Sequence, residues 1–575
     1  MRSIQDQRHA RLLLEYIDLG NLGNPHERTV KGERAVLLLN PLNRRNYKHR
    51  YTDRPKPKVP DYRDAPRITG NLRHTLKYIR ETAGQSDDFV VRRTVVKELE
   101  SVIVYYQTVA DQRQVETVMQ ALQDHQYPRL SVKELPFYLM RRVIPIGNAI
   151  FMDNLWEIRE ALSRGVLVLL IDGLNVAVTM GERKLPHRAV EPPLLESSTR
   201  GPQVGFIENV DVNVGMMRWA LTSDALTVKE LQVGYRSRNR VAVLYEHDVA
   251  NPNLVDTVIK RIQAVHLDKL TGSATLEQRI VDNHWTVFPL TRATSRVDNC
   301  VKEVGQGKVL IFVDGDPSAL LVPGTVMDFF QTMEDDQHNW IEATVVRWLR
   351  MIAFVLAFYL PALYIAFVDF NPELMPQTLA LAIAQSREGV PFNAATEVVI
   401  MQVVMEIIRE AALRMPKVMG QTIGIVGGLV LGQAAVEAGL VSNILIVIIA
   451  LTAVSIFVLP SYEFSTTLRL LMWTNILGAC IFGFYGIMLV VIVIMFHAAS
   501  LKSFGISYLE PLSGEHWRDF FLDGILRIPL PMLDKRAAHY HDQDVTRDAD
   551  YTDPVQHPML EVPRGPKFPR KRRQT

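Results

Sequence analysis

"GVLVLLIDG" at residues 165–173 returns as "GKVLIFVDG" at 307–315, and reading that pair together decides the fold. Each copy is an apolar run opened by glycine and closed by Asp-Gly, a tight-turn or hairpin signal between apolar segments. The copies lie 142 residues apart, and upstream VIVYYQTVADQRQVETVMQAL at 102–122 matches VAVLYEHDVANPNLVDTVIKRI at 241–262 at nearly that spacing. Two matches in one order at nearly one offset indicate a tandem duplication. In each copy a β-branched and aromatic strand leads through a polar turn into a helical pattern, QVETVMQAL or LVDTVIKRI, so each copy reads as α/β. Asp172 and Asp314 provide one acid per turn with no fixed partner, which favours turn chemistry over catalytic or metal-binding acids.

The 575 residues are 48% hydrophobic and 22% charged with a net charge of +2, but this average hides a split. The chain is charged and soluble in character up to about residue 346, and apolar runs dominate 351–499. The expected fold class is an α/β soluble N-terminal half with a duplicated subdomain, followed by an α-helical polytopic membrane domain. The expected domains are a flexible N-terminal extension at 1–67, whose end YTDRPKPKVPDYRD is proline-rich and charged, α/β subdomains at 68–190 and 191–346, a transmembrane domain at 347–500, and a C-terminal tail at 501–575. Two cysteines, Cys300 and Cys480, exclude a disulfide framework and a cysteine-based zinc site. MRSIQDQRHARLLLEYIDLG has no apolar core of signal-peptide length, so the soluble half is expected to be cytoplasmic.

MIAFVLAFYLPALYIAFV at 351–368 is uncharged and close to the length that crosses a bilayer. Arg347 and Arg350 precede it and Asp369 follows, so it should run from inside to outside. Residues 370–390 read as a polar link outside. PFNAATEVVIMQVVMEIIREAAL at 391–413 carries Glu397, Glu406, Arg409 and Glu410; it is either a span facing protein or water, or an interfacial amphipathic helix. Glu406 and Glu410 are spaced to share a helical face. In RMPKVMGQTIGIVGGLVLGQAAVEAGLVSN at 414–443, Gly420, Gly424, Gly428 and Gly432 recur every four residues. On a helix they form a stripe for close backbone packing, either inside the subunit or at an oligomer axis. Gln433 and Glu437 share a separate polar face. NILIVIIALTAVSIFVL at 443–459 is a further apolar run, and SYEFSTTLR after Pro460 reads as a break. The run 470–499 is long for one crossing and short for two, with a bend at Gly478, Gly483 or Gly486. The basic end KFPRKRRQT favours a cytoplasmic C-terminus and an even number of crossings, so among about five apolar runs one is re-entrant, interfacial or double.

There is no G-x-x-x-x-G-K-[ST], HExxH or G-x-S-x-G, and GIVGGLVLG lies within an apolar run rather than between a strand and a helix. No catalytic, cofactor-binding or metal-binding residues are assigned, and neither an enzyme nor a nucleic-acid partner is expected.

Four motifs carry a family resemblance. They are TRGPQVGFIENVDVN, with Arg200, Gly201, Pro202, Gly205, Phe206, Glu208 and Asn213; VDGDPSALLVP, with Asp314, Gly315, Pro317 and Pro323; the block EIIREAALRMPKVMGQTIGIVGGLVLGQAAVEAGLVS; and SFGISYLEPL followed by DGILRIPL. Over residues ~70 to ~536 the chain resembles the A subunit of GerA-type spore germination receptors or the related SpoVAF branch. Two departures stand out: the arginine-rich cluster after Asn213 keeps only Arg218, and the TERPD segment is TSRVD at 294–298. The resemblance implies a spore inner-membrane protein working beside a multi-span B-type subunit and a lipoprotein C-type subunit. It also implies a homo-oligomer in lipid that releases ions when nutrients are sensed, or, for the SpoVAF branch, an accessory channel that amplifies the release. On the residues themselves, an ion-conducting or signal-transducing subunit competes with a transporter using Glu406, Glu410 and Glu437, and with a non-conducting scaffold.

Overall fold

The computed structural model describes residues 66–82, 86–132, 134–181, 201–202, 204–414, 432–512 and 524–529, with 536 and 540. The first repeat contains α1 (Leu72–Thr82), β1 (Phe89–Val96), β2 (Leu99–Tyr106), α2 (Gln112–Asp124), α3 (Leu135–Tyr138), β3 (Ile150–Met152), α4 (Leu155–Ser163), β4 (Leu167–Ile171) and β5 (Ala177–Met180). The second contains α5 (Val210–Leu221), β6 (Leu226–Val233), β7 (Asn239–Glu246), α6 (Pro252–Gln263), α7 (Ser273–Ile280), β8 (Arg292–Thr294), α8 (Val297–Val304), β9 (Val309–Val313) and β10 (Ala319–Val322). Each forms a five-stranded sheet, ordered β1-β2-β4-β5-β3 and β6-β7-β9-β10-β8, with neighbouring strands antiparallel.

Both sheets are covered on both faces, which is why their central strands are continuous apolar runs. Val168 and Leu170 of β4 pack with Leu155, Ile158 and Ile79 from α4 and α1. Leu167, Leu169 and Ile171 pack on the other side with Val115, Val118 and Leu122 of α2. The two-residue periodicity of a strand produces this division. In the second repeat, Leu310 and Phe312 join α5 and α8, while Val309, Ile311 and Val313 join α6 and α7. Polar caps start the matching helices: Asp111 accepts from the Arg113 amide and Asn251 from the Asn253 amide.

The Asp-Gly turns tie each hairpin to the helix that opens its repeat. Asp172 Oδ1 accepts from the Leu72 amide at 3.1 Å, and Asp314 Oδ1 from the Val210 amide at 3.3 Å. Gly173 and Gly315 have φ of +85° and +90°, a region glycine enters without steric cost.

Beyond β10 the chain becomes helical: α9 (Glu334–Gln337), α10 (Trp340–Ile365), α11 (Gln377–Ser386), α12 (Ala394–Arg414), α13 (Gly432–Glu437), α14 (Asn443–Phe457), α15 (Tyr462–Phe482) and α16 (Phe484–Ser500). Among the described residues one helical stretch, Trp340–Phe370, is long and apolar enough to cross a membrane by length and composition.

Several sequence expectations change here. The SYEFSTTLR segment is not a break, because Ser461 caps a helix that begins at Tyr462. The 470–499 run is not a single bent helix but parts of α15 and α16, which reverse direction at Gly483, where φ is +59°. A Cβ on Gly478 would lie 3.0 Å from the Gly486 carbonyl oxygen, so only glycines let the two arms meet this closely. The 370–390 link contains a helix, α11, whose following residue Arg387 pairs with Glu397 at 3.0 Å and Asp369 at 3.7 Å.

These contacts also give the helices their directions. Near the second repeat, Thr467 Oγ1 of α15 donates to the Val287 carbonyl at 2.6 Å, and His497 of α16 lies 3.0 Å from Thr286 Oγ1. At the far end, Phe367 meets Phe484 with ring centroids 4.8 Å apart. After α16, Ser503 Oγ donates to the Leu290 carbonyl at 2.6 Å, and Leu501 and Tyr508 are buried, so this start of the expected tail is packed onto the second repeat.

Candidate functional site: the ionic junction above the helical bundle

The chain leaving β10 turns through Thr325–Asp328, where Asp328 Oδ2 accepts from the Thr325 amide at 2.7 Å. Phe329 and Phe330 then enter the bundle, Phe329 stacking on Phe464 and Phe330 meeting Phe464 and Phe354 edge-on. They belong to the same apolar core as the helices, so the segment leaving the second repeat is buried in the bundle.

Four carboxylates, Asp335, Asp336, Asp328 and Glu303, surround this crossing. Asp335 in α9 accepts from Arg347 Nε at 3.1 Å and from Arg350 Nη1 at 2.8 Å, both on α10. Asp336 pairs with Lys302 of α8 and with Arg527 from the C-terminal segment, each at 2.7 Å. Asp328 and Glu303 hold Lys308 at 2.8 Å and 2.6 Å, and the Tyr540 ring covers that ammonium at 5.2 Å. Burial would push these aspartates up, but their cationic partners outweigh it and hold Asp328, Asp335 and Asp336 below the ordinary carboxylate value. Burial alone would lower the Lys308 pKa; Asp328 and Glu303 reverse that and raise it.

Arg347 and Arg350, which precede the apolar run 351–368, are buried in ion pairs with Asp335, and both lie inside α10, which begins at Trp340 within the expected soluble domain. This matters energetically: removing one partner from a buried pair costs about 3–5 kcal/mol, since the other charge stays behind uncompensated. The junction thus ties α8, α9 and α10 together through buried ion pairs.

The family-signature residues lie beside it. Phe206 packs edge-on against Phe312 at 4.7 Å, and buried Asn213 clamps Ile207, donating to its carbonyl at 2.6 Å and accepting from its amide at 2.9 Å. Gly205 bridges to Arg296, whose guanidinium is paired with Asp298 at 2.6 Å within the TSRVD segment. Gly201 has φ of +98°, and a side chain there would overlap the Gln337 amide of α9. Gly315 donates to the Glu208 carbonyl at 2.8 Å, while Pro317 is exposed in the hairpin. Pro202 accepts from Arg296 through its carbonyl. Arg200 lies outside the described residues. These residues brace the loop that touches α9, and among the described residues no group of three or more His, Cys, Asp or Glu side chains is placed to hold a metal.

Arg218, the arginine left from the reduced cluster, is not turned toward a partner. It forms a bidentate pair with Asp88 of the first repeat, at 2.7 Å from Nε and 2.6 Å from Nη2, and stacks 3.9 Å from the centroid of the Tyr106 ring. Ser86 and Thr108 hydroxyls also donate to Asp88, so the carboxylate is fully hydrogen-bonded and its pKa falls despite burial.

The expected pore or packing residues divide. Glu406 is gripped by Arg409 at 2.8 Å on its own helix and by Arg469 of α15 at 3.2 Å. Glu410 pairs with exposed Arg414 at 2.6 Å, so the two glutamates do not act on a common partner. Gln433 donates to Glu437 at 3.0 Å, and both are exposed. Gly432 is buried, while Gly420, Gly424 and Gly428 lie outside the described residues. Sequence reading missed Asp335, Asp336, Lys302, Lys308 and Arg527. The available signal was Lys308 itself, a charge inside an otherwise apolar strand motif.

The family model described as Bacillus/Clostridium GerA spore germination protein matches residues 77–539. "Spore germination protein GerLA" of Bacillus cereus is 36% identical, covering 83% of this chain and 97% of that protein. "Spore germination protein B1" of Bacillus subtilis (strain 168) is 33% identical, over 84% of this chain and 99% of its own length. The crystal structure of the N-terminal domain of the A subunit of the Bacillus megaterium spore germinant receptor GerK3 is 26% identical, covers 45% of this chain and 96% of its own, and has a TM-score of 0.36. The match along most of the chain, carried by full-length relatives, makes this protein a member of the GerA spore germination family.

Proposed function

We infer that the chain is the A-type membrane subunit of a spore germinant receptor, in which the α/β repeats drive a helical bundle that releases ions as a homo-oligomer. It would act in the spore inner membrane, repeats on the cytoplasmic side, with B-type and C-type subunits. The observation that carries this reading is the grip of Asp335 on Arg347 and Arg350 at the entry to α10. A soluble domain that merely anchored itself would not need its charges buried in the first turns of a membrane helix.

The directions of the described helices support at least five passes. α10 and α15 leave the repeats, and α12, α14 and α16 return to them. The Ser442 amide donates to Glu397 at the far end, where α14 begins. The expected domain limits, 1–67, 68–190, 191–346, 347–500 and 501–575, are retained as a proposal, with α10 crossing the third of them. In this reading Gly420, Gly424, Gly428 and Gly432 pack helix against helix, and Glu406, Glu410, Gln433 and Glu437 line or flank the conducting path.

The test is ion flux from liposomes holding the full chain, alone and with its B-type and C-type subunits. Asp335→Asn should abolish gated flux while leaving an assembled protein, and Glu406→Gln, Glu410→Gln or Glu437→Gln should alter ion selectivity. Absence of flux from intact assemblies would overturn the channel in favour of a scaffold, and saturable proton-coupled flux of one solute would favour a transporter. Gly428→Leu should disrupt assembly without unfolding the repeats; normal oligomers and germination in that variant would remove the glycine stripe from the account.

A further inference from the structure

We propose that the loop Asn283–Val287 of the second repeat is a membrane-interface anchor, seating Trp285 at the headgroup and acyl boundary of the leaflet that faces the repeats. Trp285 is 96% exposed. An indole is costly to leave wholly in water, and its apolar ring with one N–H donor suits the boundary between headgroups and acyl chains.

The loop is held from both sides, so its exposure is built in. At its base Asp282 pairs with Arg261 at 2.6 Å and accepts from the Phe504 amide at 2.6 Å. At its top Thr286 meets His497 at 3.0 Å, the Val287 carbonyl accepts from Thr467 at 2.6 Å, and Phe288 is buried against Tyr508 with centroids 5.5 Å apart. Asn283 Oδ1 accepts from the Trp285 amide at 2.9 Å and fixes the turn that turns the ring outward.

Its height follows from what it touches. His497 lies in the last turn of α16, immediately after the exposed apolar residues Ile492, Val493, Met495 and Phe496. Thr467 lies near the start of α15, above exposed Leu470 and Leu477. Trp285 therefore stands where the exposed apolar surface of this hairpin ends. Exposed Trp348 and Tyr462 lie toward the repeat-facing ends of α10 and α15. The lipid surface is thus continuous with that of the α15–α16 hairpin, and the inference rests on the reading that this hairpin lies in the membrane.

The experiment uses the full chain in vesicles of phosphatidylcholine and phosphatidylglycerol, in a Cys300→Ala, Cys480→Ala background. A polarity-sensitive fluorophore is attached through Trp285→Cys or, separately, Leu489→Cys on the exposed face of α16. The expected result is loss of emission from position 285 with lipids spin-labelled near the headgroup, and from position 489 with lipids labelled deep in the chain. Quenching of position 285 by aqueous iodide and not by lipid labels, with position 489 still quenched deep, would overturn the anchor alone. A blue-shifted signal at 285 quenched by neither would overturn it in favour of cover by protein. If position 489 is not reached by any lipid label, the membrane reading of the hairpin falls, and the anchor with it.

Discussion

The two repeats share a topology and differ in what they are asked to hold. At the foot of the central strand, the Val166 amide bonds the Ala161 carbonyl at 3.0 Å, and at the equivalent place the Lys308 amide bonds the Glu303 carbonyl at 3.2 Å. The backbone is the same, but an apolar pair in one repeat is a buried ion pair in the other, completed by Asp328 from beyond the sheet. The opening helices differ in the same way. α1 places Lys77 and Arg80 in solvent, whereas α5 has Gly215 and buried Arg218 at the matching positions, turned onto the first repeat. The first repeat is a scaffold with a wet outer helix. The second is held on two sides, by the first repeat through Arg218 and by the bundle through its carboxylates. Duplication supplied a fold, and charge placed into one copy made it a connector.

This contrast can be broken experimentally, most strongly with acid. Asp328, Asp335 and Asp336 at the bundle junction, and Asp88 between the repeats, all have folded pKa values below their ordinary one. Their contribution is fully present above about pH 3.9, the unfolded value, and is lost as pH falls through the folded values. Limited proteolysis of the detergent-solubilised chain should therefore be unchanged from neutral pH down to about 4 and then, at lower pH, open first between the second repeat and α10. Early loss of the first repeat instead would contradict the division of roles. Next in size, Lys308→Met should cost about 3–5 kcal/mol by stranding two carboxylates. Val166→Met, the same change in the other copy, should cost less than about 1.5 kcal/mol. Equal shifts in thermal unfolding would erase the distinction. Gly215→Ala places a methyl 2.7 Å from the Thr108 carbonyl oxygen. It should cost about 1–3 kcal/mol in denaturant unfolding, while exposed Lys77→Ala stays within about 0.5 kcal/mol. The smallest effect concerns the β1–β2 hairpin, where Lys97 and Glu98 adopt φ of 50° and 65°. Lys97→Asn with Glu98→Gly should raise stability by about 0.5–1 kcal/mol, measured as the unfolding midpoint, because both positions then suit the tight turn.

Much of this was legible in the residues, and what was missed had physical causes. The duplication, its strands and the Asp-Gly hairpins could be read because period-two burial and turn chemistry are local. Ser461 was overlooked as a cap because the polar residues after it resemble a loop; as a helix, Ser465 and Thr466 return their hydroxyls to carbonyls one turn back. Arg347 and Arg350 looked like ordinary flanking charges because nothing near them in sequence announces Asp335 as a partner. Glu406 and Glu410 share a helix, but their partners lie on α15 and on α12's own last turn, which spacing alone does not reveal.

What is local or repeated could be read from the residues directly: the α/β pattern, its two copies, the apolar second half and the family signature. Those depend on periodicity and turn residues within a few positions of one another. Which charges are buried, and against what, emerges once distant segments have packed together. The cost of a buried charge is set by its partner, and here the partners come from segments as far apart as Asp88 and Arg218, Glu406 and Arg469, or Asp336 and Arg527.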